Sequence, residues 1–360
     1  MRGWAAALAG GLLLAGCAST TSASPGAANN SLADNTAPKT AAFTTTMATS
    51  LTTTRDAWAI VPMGANPAFW QVFARPATSA DWKLVTPAGV ADNGGLVAAG
   101  DGGSVTVAVR PSQDLTFSPL AVSADGGTRW TQGLLDAGIA AAPDALAASG
   151  SSAVALLADG TVMTSSDGGG TWRTLAKPRA ITSSSAGARC GLADVTAVSF
   201  GKRGEVLAAG TCTGAGTGLL SYRDRRWQPV RLPVSGQVVR LAGDTALIQR
   251  GGRLRVVRET PAGWAASAPL AAGGLVSSGL LGGDTVWVLL PDGGAAVTAG
   301  AAWHVLPRAP AGTSVLAAGP GDTVDALAVR GAGLDVWRLR GGTWSRVQAI
   351  DVPVQYGSSS

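Results

Sequence analysis

The chain has 360 residues, 46% apolar and 14% charged, with a formal net charge of +5 at pH 7. Glutamate occurs only at 205 and 259 and lysine only at 39, 83, 177 and 202, which excludes long charged amphipathic helices and coiled coils. A single histidine, His304, and three cysteines leave too little for a histidine-rich metal site or a histidine-dependent triad, so no metal and no cofactor is expected.

Met1 and Arg2 form a short basic start, followed by an uncharged Ala/Leu-rich run from Trp4 to Gly16 that is too short to span a bilayer. It reads as the apolar region of a secretory signal, and Leu14-Ala15-Gly16-Cys17 resembles the bacterial lipobox. The resemblance implies cleavage before Cys17 and a diacylglycerol thioether on it, which with further acylation makes a stable membrane anchor. An ordinary signal peptide with a coincidental cysteine is the alternative. Residues 18–54 carry 11 Thr and 5 Ser without periodic apolar positions, too little to offset their ordering entropy, and are expected to be a disordered tether. The preference for Arg over Lys and for Ala, Gly and Val over Ile resembles actinobacterial lipoproteins.

Downstream, Trp82, Trp130, Trp172, Trp227, Trp264, Trp303 and Trp344 recur at intervals of 48, 42, 55, 37, 39 and 41 residues, about 44 on average. A four-stranded propeller blade takes about 40–50 residues. Between these tryptophans, short β-branched runs are punctuated by turn dipeptides such as Asp159-Gly160 and Asp292-Gly293, which favour hairpins because both residues tolerate positive φ. The reading is an all-β propeller over residues 55–356, with a tail at 357–360. Seven blades fit the length, and six to eight are compatible with it.

Ser165, Asp167, Gly169, Thr171 and Trp172 resemble the Asp-box of sialidase-type propellers. Ser123, Asp125, Gly127 and Trp130 repeat it with Arg129 in place of the threonine, and the other copies keep little beyond the tryptophan. The resemblance places this turn between the third and fourth strands of a blade, away from the usual ligand face, so these residues are read as structural. The first blade shows three strand candidates, 57–63, 69–75 and 82–86, while 349–356 is left over after the seventh tryptophan. That C-terminal segment is expected to supply the innermost strand of blade one and close the ring.

With Cys17 lipidated, Cys190 and Cys212 remain in an oxidising compartment. They flank a hairpin with arms at 195–200 and 205–210, so a disulfide is expected there, the alternative being two free thiols. It would staple the Ser-rich loop 178–191 to the Gly-rich loop 213–218, with Arg189 beside the bridge. Residues 223–258 hold nine arginines (223, 225, 226, 231, 240, 250, 253, 255 and 258) against Asp224 and Asp244, a local net charge of +7. Arg189, Arg253, Arg255 and Arg258 are candidates for contacts with an acidic protein, an anionic or carbohydrate envelope polymer, or lipid headgroups. The competing reading is a set of solvated outer-strand arginines. No aromatic platform is interleaved with them, which argues against nucleic acid.

Sialidase chemistry needs a tyrosine–glutamate pair, and the only tyrosines are Tyr222 and Tyr356. The expectation is therefore a monomeric, membrane-anchored, extracytoplasmic binding or scaffold propeller without catalysis. A degenerate sialidase-like glycoside hydrolase or carbohydrate-binding protein is the alternative. At the level of fold and repeat the chain also resembles the extracytoplasmic assembly factors of photosystem II, which implies a tethered docking platform. His304, beside Trp303, is read as a strand residue.

Overall fold

The computed structural model describes residues 49–352 except 53–55, 64–68, 88–94, 100–103, 110–119, 133–142, 215–216 and 284. The segment expected to be a signal with Cys17, the part of the expected tether up to residue 48 and the expected tail 357–360 lie outside the described residues. Among the described residues no helix is long and apolar enough to cross a membrane.

Seven antiparallel sheets follow one another along the described residues, each a meander of four strands in sequence order. Sheet 1 covers residues 49–84, sheet 2 95–132, sheet 3 145–176, sheet 4 192–229, sheet 5 237–271, sheet 6 277–306 and sheet 7 313–351. In sheet 5 the short strand Leu270–Ala271 adds to the third strand. The first strands of successive sheets lie side by side, and the first strand of sheet 7 lies against the first two strands of sheet 1. This is the β-propeller architecture.

Stacking explains the composition. An inner strand such as Ser152–Leu156 has a sheet on either side, so Ala153 to Leu156 are all buried and the sequence reads as a continuous apolar run. The outermost strand Thr343–Asp351 has one side in water, and its residues are exposed or half-buried. One apolar cluster joins sheets 6, 7, 1 and 2 through Trp287, Leu327, Trp58, Phe73 and Val107.

The seven spaced tryptophans all stand at the start of a fourth strand. Several use the indole N–H to hold the preceding sheet: Trp130 donates to the Val85 carbonyl at 2.8 Å, Trp303 to Ala268 at 3.0 Å and Trp344 to Pro307 at 3.2 Å. Trp82 of sheet 1 does the same to the last sheet, donating to Asp325 Oδ2 at 3.0 Å.

Side chains tie the first sheet to the last. Asp325 is fully buried and accepts two hydrogen bonds from Arg338, at 2.7 and 2.9 Å, besides that of Trp82. Arg338 also reaches the Ala80 carbonyl, and Arg75, stacked over the Trp82 ring, donates to the Ala318 carbonyl. The Gln348 side-chain amide makes both hydrogen bonds to the Trp82 backbone, at 2.9 Å each, as a neighbouring strand would.

The expected origin of the innermost strand of sheet 1 is corrected here. Ala349–Asp351 extend the fourth strand of sheet 7, pairing with Asp335, Leu334 and Gly333, and 353–356 lie outside the described residues. Thr49–Thr52, assigned from sequence to the tether, pair with Ile60 to Ala57 as the first strand of sheet 1. The physical reason is that threonine is β-branched and suits an extended backbone even in a polar stretch. The eight-residue strand Gly333–Arg340, for its part, offers the C-terminal segment a long in-sheet partner.

The loop expected at 178–191 is also corrected. It forms two short helices, Pro178–Thr182 and Ser185–Cys190. Pro178 begins the first helix, the Ser184 hydroxyl caps the second by accepting from Gly187 N at 3.0 Å, and Gly191 ends it in the left-handed region at φ 65°. Ile181, fully buried, anchors the pair in the core of sheets 3 and 4.

Candidate functional site

In a four-stranded meander the turns alternate between two ends. Connections into the first strand and turns between the second and third strands share one end; turns between the first and second and between the third and fourth strands share the other. The two Ser-x-Asp-x-Gly turns lie between third and fourth strands, residues 123–131 in sheet 2 and 165–173 in sheet 3, as their resemblance implied.

Their geometry is the same in both copies. The serine hydroxyl accepts from the glycine N–H, Gly127 and Gly169, at 2.9 Å, and donates to Asp125 or Asp167. Both glycines have φ above 80°, and a Cβ on Gly127 would come within 3.0 Å of the Trp58 ring. Asp167 accepts from Thr171 N and Thr171 Oγ1 at 2.9 and 2.7 Å, and Asp125 accepts from Arg129 N and Arg129 Nε at 2.8 Å each. Arg129 thus replaces the threonine with an equivalent donor. These bonds, led by the Arg129 and Thr171 side chains, hold both carboxylates down at a pKa of about 2. Trp172 is buried and donates within its own turn.

The disulfide Cys190–Cys212 is present, with Cα atoms 5.4 Å apart. It lies at the opposite end, where the second helix enters sheet 4 and the second strand leaves it. Backbone bonds from Thr213 N to Gly191 O and from Gly214 N to Cys190 O, at 3.0 and 3.1 Å, reinforce the staple. Arg189 is exposed on the last turn of the second helix. The Thr217 hydroxyl then reaches the Val234 carbonyl at 3.2 Å, tying the stapled loop to the entry of sheet 5.

Two adjoining clefts open at this end between sheets 4 and 5. One, about 550 Å³, is lined by Pro233, Val234, Ser235, Ile248, Arg250, Gly251, Arg253 and Arg255. The other, about 400 Å³, is lined by backbone-rich polar residues including Thr211, Cys212, Gly214 and Gln237, and shares Ser235 and Arg250 with the first. Arg250 donates to the Ser235 hydroxyl. Gly236 lines the smaller cleft at φ 153°, and a Cβ there would lie 2.5 Å from the Gln249 carbonyl and 2.8 Å from the Ile248 side chain of the larger one.

The structure sorts the nine arginines by their position along each strand. Arg250, Arg253 and Arg255 gather in the larger cleft. Arg223 pairs with Glu205 at the other end. Burial alone would raise the Glu205 pKa, but this bond and those from backbone amides outweigh it and hold the carboxylate below its ordinary value. Arg225 and Arg226 are exposed at that same end. Arg240 is half-buried on an inner strand; burial pushes it down to about 10, and its Nε finds no hydrogen-bond partner among the described residues.

Arg258 departs from the expected surface role. It is buried and donates to the Thr298 and Gly300 carbonyls, a strut between sheets 5 and 6. It stands three residues along the strand from Arg255, an odd step, so its side chain leaves from the other face and meets the neighbouring sheet. Arg250 takes its place in the cluster, a residue legible in the sequence only as part of the general basic run. His304 is an exposed residue of the strand Ala302–Leu306, as read, and among the described residues no three metal-ligating side chains cluster. Tyr222 stacks on Trp227 at 5.0 Å and pairs in register with Val206, so it alternates to the face opposite that of Glu205 and Arg223.

No protein-family model and no curated protein matches the chain. Solved structures do. A protein from Lactobacillus plantarum is 11% identical with a TM-score of 0.54, covering 83% of this chain and 97% of its own. A putative 6-phosphogluconolactonase from Bacteroides fragilis is 14% identical with a TM-score of 0.51, covering 84% and 97%. YCF48 from Cyanidioschyzon merolae is 16% identical with a TM-score of 0.49, covering 79% and 94%. At these identities the first two likenesses speak for the fold and carry no activity across.

Proposed function

We propose that this protein is an extracytoplasmic, membrane-anchored propeller that binds a partner without catalysing a reaction, and that it does so at its stapled end. The observation that carries the reading is the pair of adjoining clefts beside Cys190–Cys212, lined by arginines, a serine hydroxyl and backbone groups. Such groups recognise and orient oxyanions and polar chains. The disulfide fits an oxidising compartment, in keeping with the signal segment and Cys17. A propeller end stapled covalently by Cys190–Cys212 offers a pre-formed surface, which lowers the ordering cost of binding.

The test is capture from solubilised cell envelope by the full-length chain. Wild type is compared with a variant carrying Arg250→Gln, Arg253→Gln and Arg255→Gln and with one carrying Arg225→Gln and Arg226→Gln at the other end. Partners lost only from the first variant support the reading. Turnover of a fluorogenic glycoside panel, abolished by a single Asp→Asn substitution, would replace it with a glycosidase.

A further inference from the structure

The larger cleft has a charge arrangement that is unfavourable when empty. Arg250 and Arg253 are direct cross-strand partners over the Gly251-Gly252 turn, and like charges so placed repel. Arg255, two residues along the strand from Arg253, faces the same way and opposite Ile248. Among the described residues, no aspartate or glutamate lines either cleft, and none of the three arginines forms an ion pair. Two of them are nevertheless held in place, Arg255 by the Ser267 carbonyl at 3.0 Å and Arg250 by the Ser235 hydroxyl.

We propose that this cleft binds a phosphoryl group carried on an uncharged, hydroxyl-bearing body, such as a phosphodiester-linked polyol. The proposal rests on the reading of the stapled end as the recognition end. A carboxylate offers two oxygens in one plane that one guanidinium fork satisfies, whereas a tetrahedral phosphodiester, of the same single charge, presents two unesterified oxygens that each accept several hydrogen bonds from diverging directions, with two weakly accepting ester oxygens besides, and so engages three guanidiniums and a hydroxyl. Pro233, Val234 and Ile248 supply an apolar wall that accepts no second charge, and the adjoining cleft, with Thr211, Gln237 and glycine backbone, suits hydroxyl groups. The volume of the larger cleft is that of a small-molecule site, within the range of about 300–1,000 Å³.

The experiment measures binding of the full-length chain to poly(glycerol phosphate), to phosphatidylglycerol vesicles against phosphatidylcholine vesicles, and to polyglutamate of equal charge. The proteins are wild type, the variant with Arg250, Arg253 and Arg255 changed to Gln, the single Arg253→Gln, and the Arg225→Gln/Arg226→Gln control. The triple variant should lose about tenfold or more in affinity for the phosphoryl probe, and the control should stay within about twofold. Should the triple variant fail to fold, Arg253→Gln, an exposed residue, still reads out the same loss in smaller measure. Binding of the soluble polymer supports the site and assigns the source to a polymer; binding of phosphatidylglycerol vesicles alone supports it and assigns the source to a lipid headgroup. Equal binding by the arginine variants and the control, or polyglutamate bound as tightly as poly(glycerol phosphate), would overturn it. In that event, envelope capture still lost on mutating the cleft arginines would leave the recognition end standing while removing its phosphoryl assignment.

Discussion

Trp82 and Asp325 are 243 residues apart in sequence and 3.0 Å apart in space, indole N–H to carboxylate, at the junction of the first and last sheets. Asp325 is completely buried and Arg338 nearly so, so the pair sits where an unmatched charge is costly. Their bidentate contact raises the Arg338 pKa further above its ordinary value. Replacing Asp325 with Ala should therefore destabilise the domain by about 3–5 kcal/mol, measured by denaturant unfolding. Asp351→Ala, at the solvent-exposed partner of a 3.7 Å ion pair, should change stability by no more than about 1 kcal/mol.

Acid should act on the two serine–aspartate turns. Asp125 and Asp167 have pKa values of about 2 in the folded protein, below the ordinary 3.8. A depressed carboxylate contributes stability that is present above its unfolded pKa and is lost as pH falls through its folded value. The melting temperature should accordingly fall between about pH 4 and pH 2, and Asp167→Asn should flatten that part of the profile while lowering stability at neutral pH.

Reduction should loosen the stapled end. The disulfide closes a loop with a sequence separation of 22, worth about 3 kcal/mol in loop-closure entropy. The double variant Cys190→Ala/Cys212→Ala should lose about that much, and amide exchange should quicken first in residues 185–191 and 211–214.

Gly236→Ala should disturb both clefts. The new Cβ would meet the Gln249 carbonyl at 2.5 Å, in a backbone conformation that disfavours any side chain. A loss of about 1–3 kcal/mol is expected, with weaker binding at the stapled end.

Much of this is legible in the sequence because the propeller repeats its physics. Each fourth strand begins with a tryptophan whose ring packs between sheets, so spacing alone gives the period. The Cys190–Cys212 bridge follows from a hairpin that places both residues at one end. What escapes are local features that repetition does not mark. The strand Thr49–Thr52 is polar and is recognisable only by its pairing with sheet 1. The helices at 178–190 are too short for a 3.6-residue period to emerge, although Pro178, Ser184 and Gly191 are ordinary start and stop signals. Among the arginines, Arg253 and Arg255 stand out in the basic run and do line the cleft, but Arg258 differs from them only in facing a neighbouring sheet, which depends on how sheets stack. Arg250 joins the cleft through a turn that puts it opposite Arg253, a relation of register and not of composition.

The central claim is that recognition belongs to the stapled end, and photo-crosslinking in intact cells tests it most directly. A photoreactive residue is placed at Arg189, exposed beside the disulfide, or at Arg226, exposed at the opposite end. Adducts with a discrete partner from position 189 and none from 226 are predicted. Adducts from 226 alone would contradict the account and move the binding surface to the end that carries the serine–aspartate turns.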